Sequence, residues 1–270
     1  MTRRGPASAA ASNGERHGLH PPVEQYLETI FYLEEEGSPA IQARVAERVG
    51  HSAPTVSEMV HRLRDGGYIE VEGRILRMTP LGRRLATSVI RKHRLAECLL
   101  TDVIGLEWHK VHAEADRWEH VISDDVAQRL VEILGDPATC PHGNPIPGSC
   151  RPAVEDQAPL SQALPGERVR LSRVSEQVEL DLDTLAYLEK HGFVPGSEAT
   201  VAARGPDGSL ALDVAGETVE LGPALARMLF YAPPPTRGVE VGSAPERVRE
   251  GAGGGVFAGV VAGLGSRVKG

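Results

Sequence analysis

Apolar residues recur at helical intervals through the first half of the chain and alternate with polar ones through much of the second. After Pro21-Pro22, the residues Val23, Tyr26, Leu27, Ile30, Phe31 and Leu33 form a 3.6-residue face that ends near Gly37. That face predicts a first helix. A shorter helix, with Ile41, Val45, Ala46 and Val49 inward, stops at Gly50. A third opens at Ser52 as N-cap, has Pro54 in its first turn and turns Val56, Met59, Val60 and Leu63 to the core, until Gly66-Gly67 ends it. Tyr68–Val71 and Arg74–Met78, separated by Glu72-Gly73, have hairpin spacing. Two short helices around a tight turn, followed by a hairpin, predict a winged helix-turn-helix.

Thr79-Pro80 opens a long helix carrying Leu81, Leu85, Val89, His93, Leu95, Leu99 and Leu100, broken at Gly105. Further helices are expected from about Glu107 to Ile122 and from Asp124 to Leu134, the last closed by Gly135. From Cys140 the chain is rich in turn residues and reads as a linker through Gly166. Short β-like runs follow at Arg168–Val174, Glu198–Ala203, Leu210–Val214 and Thr218–Leu221, interrupted by one helix near Asp181–His191. The expected class is mainly α with a small β domain. Its parts are a disordered extension (1–20), a winged-helix reader (21–87), a helical dimerisation unit (88–139), a linker (140–166), an SH3-like barrel (167–232) and a disordered tail (233–270).

Charge changes the picture more than composition does. The 270 residues carry a net −8, yet residues 40–94 hold eleven Lys/Arg against five Asp/Glu, a local +6 centred on the predicted reader. A basic module on an acidic body suits a double-stranded DNA partner. Three scattered cysteines, Cys98, Cys140 and Cys150, argue against a disulfide framework and suit a reducing cytoplasm. No apolar run is long enough for a membrane span, and no signal-type segment opens the chain. Cys140, His142 and Cys150 match no common zinc spacing, so no zinc site is assigned to them.

The candidate chemistry sits in His112–His120. His112, Asp116, Glu119 and His120 fall at i, i+4, i+7 and i+8, which is one stripe of a helix. Such a stripe is either a solvated polar face or a set of nitrogen and oxygen ligands for a divalent cation. His93 and Glu97 form another i, i+4 pair on the preceding helix.

Glu28–Gly37, Ser52–Ser57, Met78–Pro80, Arg91–Glu97, Arg117–His120 and Gly143–Gly148, standing in this order, resemble the diphtheria-toxin-repressor family of metal-activated transcriptional repressors. The likeness is close over Val23–Gly148, looser to Leu221 and absent from both tails. It implies a homodimer that binds a palindromic operator of metal-homeostasis genes, with divalent metal as corepressor and two metal sites per subunit. The ancillary site would comprise His93, Glu97 and His112, with Glu176 and Glu179 from the third domain. The primary site would comprise Asp116, Glu119 and His120, with Gln25 from the first helix. Family members that respond to iron carry cysteine and methionine at the Asp116 and Gln25 positions. Oxygen in their place favours Mn²⁺ over the alternative, Fe²⁺. The resemblance also implies DNA contacts from Ser52, Pro54, Thr55 and Ser57, and phosphate contacts from Arg44 and Arg62. Glu58 stands where a DNA-reading glutamine occurs in the family, which points to a different operator.

Two other readings compete: a regulator that has lost its metal switch, and a dinuclear-metal enzyme. The enzyme needs Glu-x-x-His on each of two helices; here Glu119 and His120 are adjacent and have no such partner. No enzyme activity, small organic substrate or membrane partner is expected.

Overall fold

The computed structural model describes residues 21–151 and 157–232. The extension (1–20), the tail (233–270) and positions 152–156 of the expected linker lie outside the described residues, so the expectations of disorder there are not addressed. Among the described residues no helix is long and apolar enough to cross a membrane.

Helix α1 (Pro21–Glu35) buries Val23, Tyr26, Leu27, Ile30 and Leu33, the face drawn by the periodicity. Tyr32 joins them, and Phe31 is only half-buried. Helix α2 (Gln42–Val49) ends at Gly50, whose φ of 67° lets the chain turn sharply into α3 (Ala53–Asp65). Ser52 caps α3 by accepting the Thr55 N–H, and Val56, Met59, Val60 and Leu63 are buried beneath it. Strands β1 (Ile69–Glu72) and β2 (Ile75–Met78) pair across Gly73-Arg74. Gly73, at φ 63°, takes the first loop position that a type II′ turn reserves for glycine. A bridge between Ile41 and Ile75 ties this wing to the start of α2.

Helix α4 (Pro80–Leu99) is capped by Thr79, which accepts the Gly82 N–H at 3.1 Å. Its twenty residues span ~30 Å. Ala86 and Ile90 belong to the reader's core, whereas Leu95, Ala96 and Cys98 belong to the cores of the helical unit. One unbroken helix therefore joins the two parts, and the boundary drawn at 87/88 falls inside it. Leu81, expected inward, is 44% exposed. At this turn Gly82 is the inward residue: a Cβ there would stand 2.0 Å from the Tyr68 carbonyl oxygen, so helix and wing meet backbone to backbone.

The helix expected over 107–122 is broken at both ends. Leu100–Ile104 forms a π-turn closed by Gly105, and Trp108–Lys110 a 3₁₀ turn, before α5 (Val111–Trp118). Glu119 caps α5, and His120 lies in the turn that leads to α6 (Asp124–Leu134). The early start was misread because Trp108 does not continue the α5 face; its side chain joins the core of the third domain.

The linker reading is overturned over most of its described length. Cys140, His142, Asn144 and Ile146 are buried. Arg91 and Arg94 of α4 donate to the Pro147 and Pro145 carbonyls, and Asn144 donates to the Val174 carbonyl at 3.0 Å. Turn residues mark a change of direction, not exposure, and here the turns are clamped from both sides. Beyond the undescribed positions, Leu160 and Ala163 are fully buried in the third domain, which therefore begins before residue 167.

That domain is a six-stranded antiparallel sheet in the order β3 (Ala158–Pro159), β8 (Leu229–Ala232), β4 (Arg168–Val174), β5 (Glu198–Arg204), β6 (Leu210–Val214), β7 (Glu217–Leu221). Irregular register at Leu171/Arg173 and Val201/Ala203 bends it. Helices α7 (Glu176–Glu179), α8 (Leu182–Lys190) and α9 (Pro223–Met228) complete it; α7, α9, β3 and β8 were not foreseen.

Gly143 tests the corrected account of the 140–148 segment. It sits at φ 86°, and a Cβ there would meet the Ser172 carbonyl oxygen of β4 at 2.0 Å. Gly143→Ala is expected to cost roughly 3 kcal/mol, from strain at positive φ plus overpacking. A denaturant midpoint equal to that of the wild type would contradict the packing described.

Candidate metal centre and DNA-reading face

The site is built on α4, one turn after its inward face leaves the reader's core. His93 and Glu97 project from successive turns and are fully buried. His93 Nδ1 lies 2.8 Å from Glu119 Oε2 and 3.4 Å from Asp116, while its Nε2 lies 3.1 Å from His112 Nδ1 and 3.3 Å from Glu97. Glu97 Oε1 also approaches His112 at 3.4 Å and His142 Nδ1 at 3.0 Å. From the third domain, Glu179 Oε2 reaches His112 at 3.1 Å and His142 at 3.3 Å, and Glu176 reaches His112 Nε2 at 3.5 Å. His120, half-exposed, bonds Glu24 of α1 at 2.8 Å and Glu119 at 3.1 Å.

All the residues expected at the ancillary position thus converge. Of the primary set, Asp116, Glu119 and His120 stand around a cavity of about 420 Å³ that Gln25 and Glu28 also line. Gln25 is exposed at its edge. The two groups are contiguous, because His93 faces Glu97 and His112 on one side and Asp116 and Glu119 on the other. Close sets of potential ligand atoms are His93/Glu97/His112/Glu179, His93/Asp116/Glu119 and Glu97/Cys140/His142.

Four participants are not marked by the sequence patterns: Glu24, Glu28, Cys140 and His142. Glu24 and Glu28 are another i, i+4 pair, and the same rule that flagged His93/Glu97 would have found them on α1. His142 and Cys140 were tested only against each other and Cys150; their partner is Glu97, forty-odd positions away. No spacing rule encodes that.

Six carboxylates (Glu28, Glu97, Asp116, Glu119, Glu176 and Glu179) meet four imidazoles here. Among the described residues none of the six pairs with Lys or Arg. Burial, reinforced by Glu119, raises Glu28 well above the usual carboxylate range, and burial with Glu179 pushes Glu176 up to about 8. Burial alone would lower His93, but Glu97 and Glu119 hold it well above the ordinary imidazole value. His112 is raised likewise, against its burial, by Glu176, Glu179 and Glu97. Glu97 is driven well below the carboxylate range because His142 and His93 outweigh its burial. Even so, Glu28 Oε1, Glu97 Oε2, His112 Nε2 and His142 Nε2 are buried without a hydrogen-bond partner. Buried polar atoms left unpaired are costly. A divalent cation with nitrogen and oxygen ligands fits this donor set, for it would engage the unpaired lone pairs and take the place of the protons that burial and crowding hold on these side chains.

The reader presents a separate surface. Ser52, Pro54, Thr55, Glu58 and Arg62 are exposed along α3, with Ser57 half-buried. Arg44 is half-buried, donates to the Pro39 carbonyl at 2.9 Å, and lines a cleft with Leu180 and Asp181 of the third domain.

Comparison with known proteins agrees with this architecture. Residues 19–75 match the domain described as "Iron dependent repressor, N-terminal DNA binding domain", 79–148 its "metal binding and dimerisation domain", and 158–233 the FeoA domain. The chain is 46% identical over 211 residues to the diphtheria toxin repressor of Corynebacterium diphtheriae, covering 74% of this chain and 91% of that protein. It is 45% identical over 205 residues to the iron-dependent repressor IdeR of Mycobacterium tuberculosis, covering 72% and 89%. A solved structure titled "Manganese-dependent transcriptional repressor complex with manganese" superposes with a TM-score of 0.68 at 31% identity, covering 78% of this chain and 99% of that one. The chain belongs to the diphtheria-toxin-repressor family of metal-dependent, DNA-binding transcriptional repressors, which are not enzymes.

Proposed function

We propose that this repressor is activated by Mn²⁺ bound at two adjoining sites in each subunit. The observation that carries the reading is the buried excess of carboxylate over cationic side chains, with unpaired ligand atoms left over. The primary site comprises Asp116, Glu119 and His120, with Glu28 added from α1 and Gln25 at its rim. The ancillary site comprises His93, Glu97, His112, Glu176 and Glu179, with His142 and Cys140 beside Glu97. A bound divalent cation engages the unpaired atoms and takes the place of the protons held on these side chains. Asp116 and Gln25 give the primary site hard oxygen donors in place of sulfur, which favours Mn²⁺ over Fe²⁺. The close relatives named for iron favour Fe²⁺ instead.

The primary ligands come from α1 of the reader and from the end of α5, so their joint engagement fixes the reader against the helical unit. Exposed apolar residues on that unit, including Val121 at 74% and Ile133 at 67%, suit burial in a homodimer. Two readers in a dimer meet successive major-groove faces ~34 Å apart, or multiples of that, on a palindromic operator. Metal thereby favours DNA binding only as strongly as the cation prefers the arrangement in which α1 meets the end of α5. Ser52, Pro54, Thr55, Ser57 and Glu58 face the bases, and Arg62 and Arg44 the phosphates. The protein works in the cytoplasm on genes of metal homeostasis.

A gel-shift titration on the protein's own promoter, under reducing and anaerobic conditions, tests this reading. Chelated protein is expected not to shift the DNA, and Mn²⁺ to restore the shift at lower free concentration than Fe²⁺. Binding unaffected by chelation would contradict the switch; equal potency would contradict the manganese preference. Glu119→Ala is expected to abolish metal-dependent binding while sedimentation still reports the dimer, and a fully responsive variant would remove Glu119 from the site.

The metal-free site also predicts a pH dependence. His93 and His112 are raised when folded, so their stabilisation is full below about 6.5 and fades as pH climbs through the higher folded values. Glu176 and Glu28, also raised, lose stability in the same direction, because ionising them is harder in the folded chain. Glu97 acts only in acid, as pH falls below the ordinary carboxylate value. The melting temperature of chelated protein should therefore fall between pH 6 and 9, and saturating Mn²⁺ should remove that fall. A flat profile without metal would contradict the charge assignment.

A further inference from the structure

Glu189 lies near the end of α8, on the third domain, and reaches across to the helical unit. Its Oε1 accepts the backbone N–H of Trp108 at 3.0 Å, and its Oε2 makes a short contact with His109 Nδ1. These two residues belong to the 3₁₀ turn that runs directly into α5, three positions before His112. Trp108 is pinned further: its indole N–H donates to the Pro141 carbonyl at 3.0 Å, and its ring centroid lies 4.7 Å from that of His142. On the other side, α8 follows α7 after Leu180-Asp181, and Asp181 caps α8 by accepting the Thr184 N–H at 3.1 Å. Helix α7 carries Glu176 and Glu179.

Glu189 therefore closes a loop of short rigid pieces around the buried cluster, beside the bond that Asn144 donates to Glu179 and the burial of the Trp108 ring in the third domain's core. Helix α7 brings a carboxyl oxygen of Glu179 to within 4.8 Å of Glu97, and crowding of acceptor oxygens opposes that approach. The Glu189 contact lies outside the cluster and resists the separation. Its side chains are 33% and 23% exposed, so it can be cut without opening a core.

We propose that Glu189 is a positioning residue for the ancillary metal site: by clamping α8 to the Trp108-His109 turn it delivers Glu176 and Glu179 to His112. This inference rests on the two-site reading above. By reciprocity, an ion bound at that site tightens the clamp.

The test uses full-length protein, stripped by chelation and titrated with Mn²⁺ alone, for wild type, Glu189→Ala and Glu189→Gln. The wild type is expected to take up two ions. Loss of one charge-assisted hydrogen-bonded contact at a partly exposed position should weaken the ancillary site about tenfold in Glu189→Ala and leave the primary site unchanged. Glu189→Gln, which keeps an acceptor for the Trp108 amide, should recover most of the affinity. In a Trp118→Phe background Trp108 is the remaining tryptophan, and its quenching by Mn²⁺ should move to about tenfold higher concentration with Glu189→Ala. Hydrogen exchange on the metal-free protein should show faster exchange at residues 106–112 and 176–190. Glu217→Ala, which removes a carboxylate 3.5 Å from His191 within the third domain, should change none of these. Wild type binding a single ion overturns the two-site reading, and the clamp with it. Wild type binding two ions while Glu189→Ala binds both as tightly overturns the clamp alone. Equal weakening of both sites also overturns it.

Discussion

The structure depends on what surrounds His93 and Glu97. Two consecutive turns of α4 place an imidazole and a carboxylate where solvent does not reach, and every neighbouring element answers with more of the same chemistry. Helix α1 brings Glu28, α5 brings His112 and Asp116, its C-cap brings Glu119, the 140–148 segment brings His142, and α7 brings Glu176 and Glu179. Ion pairs buried in a low-dielectric interior repay desolvation only when charge and hydrogen bonds balance. Here ligand atoms remain unpaired. A cation bound at such a cluster would engage those atoms, which accords with the family's dependence on metal.

The element that carries His93 and Glu97 is also the connecting one. Helix α4 starts in the reader's core and ends in the helical unit, so it carries no flexible joint between them. Helix α1 also meets the turn after α5, where Glu24 reaches His120. Arg94, fully buried, pairs bidentately with Glu35 at the end of α1 while also holding the Pro145 carbonyl. The segment that presents His142 is thus fastened to the reader's first helix as well as to β4. Candidate ligand atoms from the reader, the helical unit and the third domain share one small volume, so an ion bound there would touch all three.

The chain's periodicities announced most of this architecture. Capped starts at Ser52 and Thr79, glycine stops at Gly50, Gly105 and Gly135, and the Gly73 hairpin are local devices, and local devices are legible. The i, i+4 spacing of His93 and Glu97 likewise put ligands on one face. What could not be read was set by distant packing. Trp108 left the helix because the third domain offered its side chain a core. His142 and Cys140 looked like loop residues because their partner stands on α4. Asp116, Glu119 and His120 looked like one regular stripe, yet the helix ends at Trp118, and His93 joins what the spacing had set apart. Strand β3 has two residues and β8 four, too few for a period to stand out from the sequence around them.

The proposed mechanism requires that the carboxylate–imidazole cluster hold two cations per subunit rather than a network of protonated side chains. Crystals grown with Mn²⁺ and measured on either side of the manganese absorption edge address it directly. Two anomalous peaks per subunit are expected. One lies among His93, Glu97, His112 and Glu179, and the other among Asp116, Glu119, His120 and Glu28. A cluster without anomalous density at saturating Mn²⁺, with the side chains hydrogen-bonded to one another, would contradict it.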